Sequence, residues 1–306
     1  MIKFLISLCL CIAISTSCTN NAPPPSPRVK KEGLPEKFLL IGLIPEHNLF
    51  RQVERHDPLA HYLSKKIGMK VKLKVLSRYG NIIDNFVSES MDGAFFGSFT
   101  YALAHAKLKV NVLARPQMLN GESTYYGLIF VRKDSGIHTA AEMQGKVFAF
   151  VDKATTAGYL LPLAYFKKNG IENYKTHFRE TYFAGTHEDV IYDILNQKAD
   201  IGAAKSTVYK RLTQTDSRLV QELVVVDRSP DVPENGLAVR QDLDDTLKKK
   251  LKEALLTMHT DREGQGLLEK FGAQKFIETS DQDYVPVYRY AREINLMLTT
   301  YDYRNE

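Results

Sequence analysis

Cysteine is scarce. There are three in 306 residues, Cys9, Cys11 and Cys18, all within the first eighteen positions. Removal of a leader ahead of Cys18 would leave one thiol, which excludes both an internal disulfide and a metal-binding cysteine cluster. The N-terminal apolar run, residues 4–14, is shorter than the roughly 20 residues a helix needs to cross a bilayer, which argues against a permanent transmembrane helix. One-sided charge is also missing: 41 Lys and Arg stand against 36 Asp and Glu, a net +5. The run Lys248-Lys249-Lys250 lies on a helical pattern as a solvated face, and no nucleic-acid motif accompanies it, so nucleic acid is not an expected partner. A weak positive field suits a small anion. Catalytic signatures are absent as well. His187-Glu188 lacks the second histidine of a zinc protease, because Ile191 stands there. Residues 155–158 lack the Gly-Lys-Ser/Thr ending of a nucleotide loop, and Gly121-Glu122-Ser123-Thr124-Tyr125 lacks the closing glycine of a hydrolase elbow. With no adjacent nucleophile and base, neither an enzyme nor a cofactor or metal is expected.

What is present is material for two ordinary globular domains, 306 residues of which 44% are hydrophobic. Residues 1–17 read as a targeting segment, with Lys3 as its charged start, the apolar run, and small Ser15, Thr16 and Ser17 before Cys18. The segment resembles a bacterial lipoprotein signal. That resemblance implies lipidation of Cys18 and an extracytoplasmic chain anchored to the membrane, on the periplasmic side in a two-membrane host; ordinary secretion is the alternative. Residues 18–37 carry Pro23-Pro24-Pro25, Ser26-Pro27 and Lys30-Lys31 and form an expected semi-extended tether, at about 3.1 Å per residue.

Past the tether, strand and helix patterns alternate. Residues 38–44 are a continuous apolar run ending in Pro45, the pattern of a parallel strand buried on both faces. Asp57-Pro58 is the expected start of a helix bearing Leu59, Tyr62, Leu63 and Ile67. Val71, Leu73 and Val75 alternate with lysines, followed by helix 82–87, strand 93–96, and a further helix and strand through Tyr101 to Leu113. The predicted class is α/β: two lobes, each a mostly parallel sheet flanked by helices, with a ligand cleft between them. Ligands of such sheets collect beyond the carboxyl ends of the strands. This makes 45–48, 78–81 and 97–100 the loops of interest. A second series starts near Lys133, and strands 126–131 and 236–239 are the expected hinge crossings. Residues 243–297 read as helical. The expected boundaries are a leader 1–17, a tether 18–37, first lobe 38–131, second lobe 132–230, and a hinge return with first-lobe helices 231–306.

The most informative stretch is 147–166, an apolar strand, a loop rich in hydroxyls and amides, and a helix. Thr155-Thr156-Ala157-Gly158 places two hydroxyls and several N–H groups at the positive end of a helix dipole, which makes an oxyanion cradle. Capping of the helix by Thr155 or Thr156 is the alternative role. Pro162 crowds the carbonyl of Gly158, so a loosened first turn is expected.

Four motifs in order carry a more specific resemblance, which covers the chain past the tether. Residues 78–83, Arg-Tyr-Gly-Asn-Ile-Ile, and 92–98, Asp-Gly-Ala-Phe-Phe-Gly-Ser, come from the first lobe. Residues 155–162, Thr-Thr-Ala-Gly-Tyr-Leu-Leu-Pro, and 185–188, Gly-Thr-His-Glu, come from the second. Together they resemble the substrate-binding proteins of the phosphate, phosphite and phosphonate uptake family, which implies a type II periplasmic-binding fold. The resemblance implies capture of a small phosphorus oxyanion without chemistry, delivery to an ABC permease and ATPase, and a monomer. It implies ligand contacts from Tyr79, Phe96, Ser98, Thr155, Thr156, Ala157, Gly158, His187 and Glu188, with Glu188 available to a ligand amine. Ala157 stands where the family often has a third hydroxyl, and Phe96 where phosphonate binders commonly have a tyrosine. Lys205 adds a positive charge near the cleft. A sensor feeding a signalling receptor, or a binder of another small anion such as a sulfonate, would use the same pocket.

Overall fold

The computed structural model describes residues 37–45 and 49–305. The leader, Cys18, nearly all of the tether and the loop positions 46–48 lie outside the described residues. The chain first builds β1 (Phe38–Leu43), α1 (Leu49–Ile67), β2 (Lys70–Val75), α2 (Asn81–Ser88), β3 (Gly93–Phe96), α3 (Ser98–Leu108) and β4 (Asn111–Met118). It then crosses through the two-residue strand β5 (Thr124–Tyr125) into β6 (Gly127–Arg132), β7 (Val147–Phe150), α4 (Leu161–Lys168) and α5 (Tyr174–His177). After these come β8 (Glu180–Phe183), α6 (His187–Leu195), β9 (Ile201–Lys205), α7 (Ser206–Thr213), α8 (Arg218–Glu222) and β10 (Leu223–Arg228). The return is β11 (Val232–Pro233), β12 (Gly236–Val239), α9 (Asp245–Leu256), α10 (Arg262–Phe271), β13 (Ala273–Glu278) and α11 (Val285–Glu293).

Two sheets result, ordered β13-β4-β12-β3-β1-β2 and β10-β6-β9-β7-β8. They share one plan. In the first, β1 runs parallel to β2 and β3, and β12 inserts antiparallel between β3 and β4. In the second, β7 runs parallel to β8 and β9, and β6 inserts antiparallel between β9 and β10. Each inserted strand directly follows a crossing, so the crossing segment decides which sheet the chain joins. The crossings themselves, β5 and β11, pair antiparallel in a two-stranded ribbon.

The central strands are buried throughout, β3, β7 and β9 at every residue, as expected of strands covered on both faces. The edge strand β2 keeps Val71 inside while Lys70 and Lys72 are exposed, which blunts an open edge. One apolar cluster covers an outer face of the first sheet with Leu59, Leu63, Leu251 and Leu268. A second packs Phe148, Phe150, Phe166 and Phe178 on the second sheet. A third contains residues of both, from Ile82 and Phe99 to Phe130 and Val190, so the lobes share continuous buried surface.

Several expectations are corrected. Helix α1 begins at Leu49 and carries Pro58 inside it; packing of Leu59, Tyr62, Leu63 and Ile67 outweighs the hydrogen bond that Pro58 cannot donate. The stretch 243–297 contains a strand, β13, whose Ala273 and Phe276 are buried beside β4. Strands 127–132 and 236–239 are not crossings: each is hydrogen-bonded inside a sheet, β6 in the second and β12 in the first. The crossings are residues 119–126 and 229–235 instead, which carry the paired strands β5 and β11, because Gly127 and Gly236 are already paired within their sheets.

Candidate functional site

Strand β7 runs parallel to both its neighbours, β8 and β9, so the loop after Phe150 emerges at the carboxyl ends of these three strands. Thr155 is in extended conformation, φ −98° and ψ 145°, and the turn Thr156–Leu160 that follows is a π-helix. Its looseness has a local cause. Pro162 cannot donate to the Gly158 carbonyl, which accepts instead from the Val151 N–H at 3.2 Å. The Leu160 N–H reaches back five residues to the Thr155 carbonyl at 3.1 Å. Gly158 is required here, because an added Cβ would lie 2.3 Å from Val151 Cγ2.

Neither threonine caps this helix through its side chain. The Thr155 hydroxyl donates to the Asp152 carbonyl at 2.6 Å, and Thr156 Oγ1 accepts from the Phe99 N–H of the first lobe at 2.8 Å. The N-terminus of α3 thus meets the cradle face to face. Asp152 is fully buried and accepts from the Ala154 N–H and the Asn305 side-chain amide, at 2.8 and 3.0 Å. Burial pushes its carboxyl above the ordinary aspartate value, against the opposing pull of the Ala154 N–H, the Arg78 charge and Asn305.

Between the lobes lies a cavity of about 10 Å³, lined by Tyr79, Thr155, Thr156 and His187, all four expected from sequence. Tyr79 and His187 meet edge to face with centroids 5.8 Å apart. His187 opens α6, and its Nδ1 accepts from the Lys205 N–H at 3.3 Å. Ile44, Gly97, Thr100, Tyr125, Ala154, Lys205 and Asn235 complete the wall. Five expected residues fall outside it. Phe96 packs on Phe86 in the core, centroids 6.2 Å apart, and Ala157 and Gly158 are buried within the turn. Ser98 Oγ lies 3.2 Å from the Tyr125 hydroxyl and 2.5 Å from the Pro233 carbonyl, where it joins α3 to the crossing ribbon. Glu188 faces Arg211 at 3.4 Å.

Sequence reading missed Tyr125, Glu234 and Asn235, which come from the two crossings. The phenol lacking at Phe96 is available nearby from Tyr125, which is buried and held protonated by desolvation, with the Lys205 ammonium pulling the other way. Lys205 Nζ sits 2.7 Å from Glu234 Oε2, 3.2 Å from Asn235 Oδ1 and 4.4 Å above the Tyr125 ring. The available signal was punctuation. Pro233-Glu234-Asn235-Gly236 interrupts two apolar runs, as loops at a sheet's edge do. Beyond the Lys205–Glu234 pair opens a second cavity, of about 370 Å³, which shares Ile44, Lys205 and Asn235 with the first.

Two α/β lobes joined by a paired double crossing, with hydroxyls, amides and a histidine at the strand ends between them, define a two-lobed solute-binding protein. A family profile described as ABC transporter, phosphonate, periplasmic substrate-binding protein matches residues 41–284, and the chain belongs to that family. It is 26% identical over 257 residues to the phosphonates-binding periplasmic protein of Escherichia coli (strain K12), covering 82% of this chain and 75% of that one. It is 31% identical over 208 residues to the phosphate-import protein of Mycolicibacterium smegmatis, covering 65% and 64%. Among solved structures, the binding component of an ABC phosphonate transporter from Pseudomonas aeruginosa superposes with a TM-score of 0.78 at 23% identity, over 85% of this chain and 87% of that one. A methylphosphonate complex from Prochlorococcus marinus (MIT 9301) gives 0.75 at 20%, over 85% and 99%. The family places the chain outside the cytoplasm as a substrate-binding component of transport.

Proposed function

We propose that the chain captures a small phosphorus oxyanion between its lobes, without chemistry, and delivers it to an ABC permease and ATPase. The observation that carries this is the cradle. Thr155 and Thr156 leave the helix uncapped and stand at the end of β7, where Thr156 faces the N-terminus of α3 across the cleft. The Thr155 hydroxyl turns from the Asp152 carbonyl to the ligand, and with the Thr156 hydroxyl and the first amides of the turn it takes the oxyanion, while Tyr79 and His187 close beside it. His187 Nδ1 accepts from the Lys205 backbone N–H, which fixes the ring at the start of α6. A relative's structure with methylphosphonate and relatives named for phosphonate and phosphate point to the same ligand class.

The first cavity, at about 10 Å³, has room for roughly one water. Admission of a tetrahedral oxyanion therefore requires the lobes to part, and the ribbon of β5 and β11 is the hinge about which they do so. Lipidation of Cys18 would hold the protein at the extracytoplasmic face of the membrane as a monomer on its tether.

Titration calorimetry of the purified full-length protein against phosphate, phosphite, methylphosphonate, 2-aminoethylphosphonate and an alkylsulfonate tests the reading. Micromolar or tighter binding of a phosphorus compound is expected. Hydrogen bonds to a charged group contribute about 1.5–3 kcal/mol each, so Thr155→Ala with Thr156→Val should weaken it about a hundredfold or more. A folded protein silent to every phosphorus compound would sink the proposal.

A further inference from the structure

The second cavity is far too large for the part of the ligand that the cradle holds, and its wall has a definite chemistry. At about 370 Å³ it falls in the range of cavities that hold a whole organic group, roughly 300–1,000 Å³. One side is apolar, with Leu43, Phe95, Pro116 and Phe271. The other carries Lys205, Lys210 and Arg211, the Lys and Arg of the wall among the described residues, and each faces a glutamate: Lys205 meets Glu234 at 2.7 Å, Lys210 meets Glu122 at 3.4 Å and Arg211 meets Glu188 at 3.4 Å. An ionised substituent would find no uncompensated charge among these pairs. Glu234 is 4% exposed, and while its Oε2 binds Lys205, its Oε1 is buried without a hydrogen-bond donor among the described residues. A buried carboxylate oxygen in that state is costly, and a donor supplied by a ligand relieves the cost.

We infer that this cavity receives the neutral, hydroxyl- or amide-bearing organic group of a phosphonate or phosphate monoester, with the donor directed to Glu234. The inference rests on the cradle holding the phosphorus oxyanion. Lys205 and Asn235, which line both cavities, mark the junction at which the phosphorus group gives way to its substituent. An ammonium in place of the hydroxyl meets the Lys205 charge already seated on the same carboxylate. A carboxylate in its place meets Glu234 itself.

Calorimetry of the full-length protein against ethylphosphonate, 2-hydroxyethylphosphonate, 2-aminoethylphosphonate and phosphonoacetate separates these cases. The hydroxyl compound is expected to bind about tenfold tighter than each of the other three, the effect of one hydrogen bond to a charged group. Equal binding of all four would keep the oxyanion reading and overturn this one, as would tightest binding of the amine or the acid. Loss of all binding would overturn both. Glu234→Gln alone leaves Lys205 buried beside a neutral amide and risks misfolding, so the informative variant is Lys205→Met with Glu234→Leu, its fold checked by thermal unfolding. In that protein the tenfold preference for the hydroxyl should vanish, and its persistence would overturn the assignment to Glu234.

Discussion

The two neighbouring cavities are built from different materials. In the smaller, about 10 Å³, the cradle side is fixed by main chain, with Tyr79 and His187 completing the wall: the Thr155 hydroxyl is held by a backbone carbonyl, Thr156 meets a backbone amide, and the π-turn is locked by the Val151 to Gly158 hydrogen bond. The larger, about 370 Å³, is walled by side chains, apolar on one side and paired in charge on the other. Main chain cannot be changed by substitution without disturbing the strand and helix that carry it, whereas a wall of side chains can. A recognition site that grips a constant chemical group and tolerates a variable one is expected to divide in this way.

The sharpest way to break the small cavity alone is Gly158→Ala. The new methyl would lie 2.3 Å from Val151 Cγ2 and 2.4 Å from Val151 Cβ, and Val151 is fully buried. Overpacking of this kind costs about 1–3 kcal/mol, and here it displaces the turn proposed to hold the oxyanion. Every phosphorus ligand should lose affinity by about tenfold or more, and by the same factor whatever its substituent, as competition calorimetry would show. A loss that depends on the substituent would mean the two cavities are not separable.

The small cavity has a second tie, at the chain's end. The Tyr301 hydroxyl donates to the Lys153 carbonyl at 2.9 Å and its ring lies 5.7 Å from Phe99. The Tyr303 hydroxyl donates to Asp84 at 2.7 Å, and Asn305 bonds both Asp152 and the Lys153 N–H. These residues strap the cradle loop of one lobe to α2 and α3 of the other. Removal of residues 301–306 forfeits several hydrogen bonds of about 0.5–1.5 kcal/mol each. Part of that is compensated by water, so affinity should fall about fivefold, with faster ligand release in stopped-flow displacement. Unchanged release would show that the strap plays no part in closure.

The cradle was legible because its elements are consecutive. A buried strand, two threonines, a glycine and a proline lie within sixteen positions, and the proline's effect on the first turn follows from its missing N–H. The family motifs located the small cavity but not its whole wall. Of the residues they implied, Tyr79, Thr155, Thr156 and His187 line it, while Phe96 serves the core and Glu188 serves an ion pair. Tyr125 and Glu234 were not legible, since they are 109 positions apart in sequence and meet only because two strands of two residues pair as a ribbon. Strand β13 was missed for a related reason. It follows a helix that ends at Gly272 with φ 79°, and a register shift between Ala273 and Lys275 breaks the alternation by which a strand is recognised.

The smallest expected effect concerns charge beneath the cradle. Asp152 is buried and its carboxyl is raised above the ordinary value, chiefly by desolvation, so its proton is held more tightly in the folded chain than in the unfolded one. Between the unfolded and folded pKa values the folded state binds more protons. Stability from this group therefore falls as pH rises through that window and stays lower above it. Asp152→Asn removes the titration while keeping an oxygen for the Ala154 N–H. The variant's unfolding midpoint, measured relative to the parent, should thus be higher at pH 7 than at pH 3.5, where the parent carboxyl is protonated and the two side chains are nearly equivalent. The opposite trend would mean that the Arg78 charge and the donors from Ala154 and Asn305 outweigh desolvation. Asp152 would then be an anionic keystone of the turn, and an oxyanion bound above it would have to be stabilised against that charge as well.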